Sequence, residues 1–316
     1  MRNWNWIKIG ILAVVAVALI AIFLFTDVRG SWDYVLGKRT EKVLAMVLTG
    51  AAIALSTIVF QTITNNKILT PSIIGLDQLY MLIQTVLVFA FGATLTSTSK
   101  SINFFISIGL MIMFVGVLYK IIFKREGNNI YFLLLVGIIF GTLFQSLSTF
   151  MQVLIDPNEF MMIQDKMFAS FNNINGDLLL LSAIVILLTS LYFIRYFKYL
   201  DVLSLGKEQA INLGVDFDKI VKRLLVVVAI LISVSTALVG PITFLGLLVV
   251  NVTYQLFKTF RHSFLIFGSI LISIISLVGG QFIVERVFTF STTLSVIVNF
   301  IGGVYFIYLL LKQRKA

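Results

Sequence analysis

Few side chains in this sequence could carry chemistry, and their spacing excludes most of it. The closest pair of carboxylates is Asp216 and Asp218, in the run GVDFD. A membrane-embedded prenyl or acyl transferase needs clustered Asp, Glu or His on a loop, and this pair is the nearest approach to such a cluster. The single histidine, His262, excludes a metal centre built from several imidazoles and reads as a residue at a helix end. The chain has no cysteine, so disulfides, iron–sulfur clusters and thiolate-held metals are excluded. Gly206-Lys207 is followed by Glu208 and has no glycine five residues before it, so it forms no phosphate cradle. G-x-S-x-G and H-E-x-x-H are also absent. The expectation is a protein without a cofactor or resident metal, and not an enzyme.

The remaining polar chemistry is amide chemistry. Gln61, Gln84, Gln145, Gln152, Asn251, Gln255, Gln281 and Asn299 stand within apolar runs. Amides are costly in hydrocarbon unless they pair or face water. They point to a polar interior path, with some joining helices to one another. Carboxylates at that depth are scarce, Asp77 near the start of a run being the exception. Proton- and sodium-coupled carriers usually keep an acid in mid-membrane. A transporter without one takes its energy from a partner or acts as a passive channel.

The elements that position these residues are apolar throughout. Hydrophobic residues make up 59% of the 316 and charged residues 12%, with a mean hydropathy of +1.04. The pattern predicts an all-α polytopic membrane protein, one domain over 1–316. We read ten spans, at 6–26, 42–63, 73–93, 102–123, 130–153, 177–195, 223–239, 241–258, 263–284 and 294–311. The first lacks a small-residue cleavage site and reads as a retained span rather than a signal. An even number puts both termini on one side. Taking that side as cytoplasmic leaves only Arg29, Lys38, Arg39, Lys42, Lys100, Lys166 and Arg286 of the 24 Lys and Arg outside. The net charge of +10 therefore reads as a positive-inside bias, with lipid as the neighbour and no nucleic acid. Residues 155–175 fall outside. Residues 196–222 form the one sizeable cytoplasmic element, two short helices broken at Gly206 and Gly214.

The stretch GPITFLGLLVVNVTYQLFK, residues 240–258, opens on a Gly-Pro break and carries amides at depth. Pro241 suits a first helical position there. TGAAIALSTIVFQTI (49–63) and STALVGPITFLGLLVVNVTYQ (235–255) echo one another as small residues before an apolar run ending in an amide.

Five segments in order resemble those of one family. They are LTGAAIALSTIVFQ (48–61), ILTPSIIGLD (68–77), LSLGKEQAINLGV (203–215), GPITFLGLLVV (240–250) and STTLSVIVNFIGGVYFIYLLLK (291–312). Together they resemble the FecCD permeases, the membrane subunits of type II ABC importers for iron–siderophores, haem and vitamin B12. The resemblance implies that Leu203, Leu205, Gly206, Ala210, Leu213 and Gly214 seat on a cytoplasmic ATPase dimer, which supplies the ATP chemistry. It implies that Arg39, Lys42 and Arg286 meet acidic residues of an extracytoplasmic siderophore-binding protein. It places Gln61, Pro71, Gly75, Gly240, Pro241, Phe244, Gly246 and Asn251 along the translocation path or in its packing.

The chain departs from the family pattern at four places. Lys67 stands for the first proline of N-P-L-A-x-P, and Glu41 for the proline of R-L-P-R. Val250–Gln255 lacks the proline, histidine and arginine of V-P-H-x-x-R, and Gly302-Gly303-Val304 lacks the proline of G-x-P. These departures resemble the second permease of petrobactin- or anguibactin-type catecholate siderophore systems. They imply a heterodimer with a second, more typical FecCD permease rather than a homodimer. Haem and cobalamin remain alternative cargoes within the fold, and a proton-coupled carrier remains a distant alternative outside it.

Overall fold

The computed structural model describes residues 2–26, 31–98, 100–122, 130–172, 174–289 and 292–313. Of the residues weighed above, Arg29 and Ser291 lie outside that set. The described residues form helices and no strand. In order these are α1 (Arg2–Phe25), α2 (Trp32–Thr64), a 3-10 turn (Pro71–Ile74), α3 (Leu76–Thr98), α4 (Lys100–Ile122), α5 (Ile130–Leu154), α6 (Pro157–Met167), α7 (Gly176–Ile194), α8 (Phe197–Leu203), α9 (Lys207–Asn212), α10 (Phe217–Val239), α11 (Leu245–Phe257), α12 (His262–Arg286) and α13 (Leu294–Gln313).

Seven helices are long and apolar enough to cross a bilayer, and Leu76–Gly92, Leu245–Phe257 and Leu294–Tyr308 are apolar but shorter. Helix α11 has 13 residues. At 1.5 Å per residue it reaches about 20 Å, short of a hydrocarbon core of about 30 Å. The expected span 241–258 thus opens on a non-helical segment, 241–244. Gly240 takes a left-handed φ of 99°, the chain runs unwound to Phe244, and the helix starts at Leu245. Pro241 does not occupy a first helical turn, contrary to the sequence expectation.

Two further boundaries moved. Helix α2 begins ten residues before the expected 42, at Trp32. Its added turns are largely exposed and carry four charges, Asp33, Lys38, Arg39 and Glu41, with a Lys38–Glu41 ion pair at 2.9 Å, so hydropathy alone misses them. The stretch 155–175, read as a loop, contains α6. The Asp156 side chain accepts from the Asn158 N–H at 2.9 Å, and Pro157 opens the helix.

The centre of the bundle is α2, packed along α10 on one side and α12 on the other, with α11 wedged against both α2 and α12. From Ala52 to Thr64 every residue of α2 is buried. Peripheral helices turn apolar residues outward instead, such as Leu135, Ile138 and Leu143 of α5 and Phe300 and Val304 of α13. That is the pattern of a lipid-facing rim.

Close approach at the 3-10 turn depends on glycine. Gly75 has φ 88°, and a Cβ there would lie 3.0 Å from the Gly141 Cα. A Cβ at Gly137 would lie 2.8 Å from the Ile74 Cα. The Gly137-x-x-x-Gly141 face of α5 therefore seats directly on backbone. Gly137→Ala should destabilise the purified protein by about 1–3 kcal/mol. Gly116→Ala on α4, which meets open space, should leave the thermal unfolding midpoint unchanged or raise it.

Candidate functional site

Two backbone interruptions meet inside the bundle. One is 65–75, between α2 and α3; the other is 240–244, between α10 and α11. Asp77, at the start of α3, accepts from the Thr243 hydroxyl at 3.0 Å and is buried. Gly246 lies against Thr57 so closely that any Cβ would collide with the Thr57 hydroxyl. That hydroxyl is buried without a hydrogen-bond partner. Thr57, Asp77, Thr243 and Gly246 line a cavity of about 10 Å³, room for one water. Pro71 opens the 3-10 turn beside it. Phe244 packs against Gly302 and tilts over Phe306 at 6.2 Å between ring centroids. Of the expected path residues, Pro71, Gly75, Gly240, Pro241, Phe244 and Gly246 are thus gathered around the two interruptions.

Gln61 and Asn251 belong to a second cluster, at the end of the bundle where α2 finishes. Their side-chain amides both donate to the Lys67 carbonyl, at 2.8 and 2.9 Å. Beside them, Asp201 of α8 accepts from the His262 backbone N–H at 2.9 Å and from its ring Nδ1 at 2.6 Å. The other ring nitrogen meets the Thr62 hydroxyl at 2.8 Å. His262 is therefore no metal ligand but a clasp joining α8, α12 and α2. Residues 61 and 200 positions apart in sequence make it, and no local pattern announces it.

The stretch 203–214 lies at this same end. Leu203 and Ala210 are buried under α8 and α9, whereas Leu205 and Leu213 are 55% and 63% exposed. Gly206 and Gly214 take φ 97° and 81°, which a glycine adopts at no steric cost. The six expected coupling residues divide accordingly. Two anchor the element, two glycines turn it, and Leu205 and Leu213 present apolar surface.

Arg39, Lys42 and Arg286 come together at the opposite end. Arg39 donates to the carbonyls of Phe23, Leu24 and Thr26 at 3.2, 2.9 and 2.7 Å. Arg286 reaches the Thr26 carbonyl at 2.9 Å. Both guanidiniums close the C-terminal end of α1, where helix carbonyls are unsatisfied and the dipole favours cations. Lys42 pairs with Glu285 at 3.1 Å, and Gln281 donates to both Glu285 and Asn172.

This helical arrangement is shared with known transporters. The family model described as the FecCD transport family matches residues 6–312. The chain belongs to the FecCD transport family. It is 66% identical over 313 residues to the petrobactin import system permease protein YclO of Bacillus subtilis, covering 99% of both chains. It is 37% identical over 281 residues to the petrobactin import system permease protein FatC of Bacillus anthracis, covering 89% of this chain and 79% of the relative. Among solved structures, a metal-chelate type ABC transporter in an inward-facing conformation superimposes with a TM-score of 0.85. That match covers 98% of this chain and 99% of the other at 22% identity, and shows a common fold.

In this FecCD chain His262→Leu removes the ring that joins three helices. We expect a loss of about 1–2 kcal/mol, since Asp201 stays half in solvent. Asp201→Asn should cost less, because the amide oxygen still accepts. Thermal unfolding of the two variants side by side tests the ordering.

Proposed function

We propose that this chain is a membrane-spanning permease subunit of an ATP-binding-cassette importer, carrying a ferric siderophore of the petrobactin class across a bacterial plasma membrane. The observation that carries the reading is the 66% identity to YclO over nearly the full length of both chains. The seven long apolar helices and three shorter ones fit ten spans with both termini in the cytoplasm. The His262 end then faces the ATPase and the end bearing Arg39, Lys42 and Arg286 faces outward.

The chain itself forms no covalent intermediate, binds no cofactor and leaves ATP to its partner. A binding protein delivers the iron complex to the outer end, its acidic lobes meeting Arg39, Lys42 and Arg286. Those cations set register and encounter rate more than affinity. Two permeases enclose the path, and the family departures at Val250–Gln255 and Gly302–Val304 favour a different second permease over a second copy of this chain. The ATPase dimer grips Leu205 and Leu213. Its nucleotide cycle biases a pre-existing two-state equilibrium of the bundle, and the two interruptions are where the bundle yields.

Radioiron uptake by iron-starved cells tests the cargo. Deleting the gene should abolish uptake from the catecholate siderophore and leave uptake from hydroxamate siderophore, haem and ferric citrate intact. Unchanged uptake from every source defeats the iron assignment. Leu213→Glu places a charge on the exposed apolar contact and Gly214→Arg strains a left-handed turn. Each should lower uptake at least about tenfold, with the protein still present in the membrane, because burying an unpaired charge in an interface costs several kcal/mol.

A further inference from the structure

A cavity of about 540 Å³ opens at the end of the bundle that carries Arg39 and Arg286, between α3, α4, α6 and the start of α7. The end of α10, Ala237–Gly240, completes its wall, so it adjoins the interruption at 240–244. Its size is that of a small-molecule site. The charged group set deepest in its wall is Lys166, the penultimate residue of α6. The ammonium donates to the Gln84 side-chain oxygen at 2.6 Å. Among the described residues no carboxylate pairs with it, although its neighbour Asp165 lines the same space. Burial pushes Lys166 down to about 8, so it is still largely charged at neutral pH. A second cation, Lys100, stands on the rim.

The hydrogen-bond inventory of the wall is one-sided. The Gln84 oxygen already accepts from Lys166 and from Asn103 at 3.0 Å. The Asn103 oxygen accepts from Gln84 at 2.9 Å and from Ser107 at 3.2 Å. The Asn172 oxygen accepts from Gln281. The Asn175 oxygen caps α7, taking the N–H groups of Asp177 and Leu178. Every lining amide has its acceptor engaged within the protein. What Lys166, Asn172 and Asn175 can still offer the cavity are N–H donors, and Asp165 is the one anionic group among them. These amide N–H donors, beside an ammonium that no carboxylate pairs with among the described residues, suit an anion with several oxygens.

We propose that this cavity is an oxyanion site, taking a carboxylate or phosphate group against Lys166, Asn172 and Asn175. Two sources carry that chemistry, a soluble carboxylate compound and the phosphodiester of an anionic lipid. The shared ligand is the oxyanion. The site is independent of the petrobactin assignment.

The test uses the full chain with the subunits that co-purify with it, in nanodiscs of phosphatidylcholine. Citrate is added in one arm, and phosphatidylglycerol replaces part of the lipid in the other. Either addition should raise the unfolding midpoint by about 2 °C or more. Lys166→Gln, which keeps an amide beside Gln84, should remove the shift, while Lys198→Gln at the far end keeps it. A citrate shift names a soluble ligand, and a shift with phosphatidylglycerol alone names a headgroup. No shift in either arm, or the same shift in Lys166→Gln, overturns the site. ATP-driven iron uptake by the same complex sealed in proteoliposomes separates this result from the importer reading, since uptake without a shift removes only the oxyanion site.

Discussion

Backbone broken inside a bilayer leaves N–H and C=O groups that lipid cannot satisfy. The rest of this structure depends on how two such breaks are closed. At 65–75 the Lys67 carbonyl takes two side-chain amides, Gln61 and Asn251. The Ile68 N–H turns back to the Asn66 side chain at 2.9 Å. At 240–244 the Val239 carbonyl accepts from the Ser170 N–H at 2.8 Å, and the Phe244 N–H reaches Asn299 at 3.4 Å. Three of the amides that look misplaced in apolar segments, Gln61, Asn251 and Asn299, are groups that close these breaks. An amide donates and accepts at once, so it can serve a stray carbonyl or a stray N–H without bringing a charge into the membrane.

Closing the breaks also demands that helices come near enough for short bonds. Lipid supplies no hydrophobic drive between helices, so approach relies on small residues and packing. Gly246 against Thr57, Gly50 against Ser273 and Gly302 against Phe244 each leave no room for a methyl group. The same requirement explains why α2 is so rich in Gly, Ala, Ser and Thr between Thr49 and Thr57. That segment touches α10, α11 and α12 together, and a larger side chain on any side would separate one of them.

Composition and apolar run lengths made the helical membrane character legible, and the grouping of Arg39, Lys42 and Arg286 at one end followed from the alternation of spans. Other features were hidden for identifiable reasons. Helix α2 extends to Trp32 because a charged helical turn outside the bilayer has no hydropathy signature. Helix α6 did carry a signal, Asp156-Pro157 followed by Glu159, which is a capping residue, a proline and an acid in the first turn. Pro241 was misplaced because a proline after glycine suits a helix start and an unwound segment alike, and here the helix begins only at Leu245. Asp201 and His262 could not be paired from sequence at all, since their contact is set by tertiary packing.

These closures differ in what they permit. The Lys67 clasp ties α2 to α11, and the His262 clasp ties α8 to α12 and α2. The 203–214 stretch is therefore joined to the core through buried Leu203 and Ala210 and, beside it, Asp201, and does not hang as a loose loop. The opposite limit holds at Gly240–Phe244, where no helical hydrogen bond runs from α10 into α11. Tilting α11 about that segment bends no helix and strains the Thr243–Asp77, Phe244–Asn299 and Gln255–Tyr305 bonds, whose side chains can follow. A short helix clamped at one end and unwound at the other has the form of a hinged element, as hinge closures elsewhere turn on a few residues at element ends.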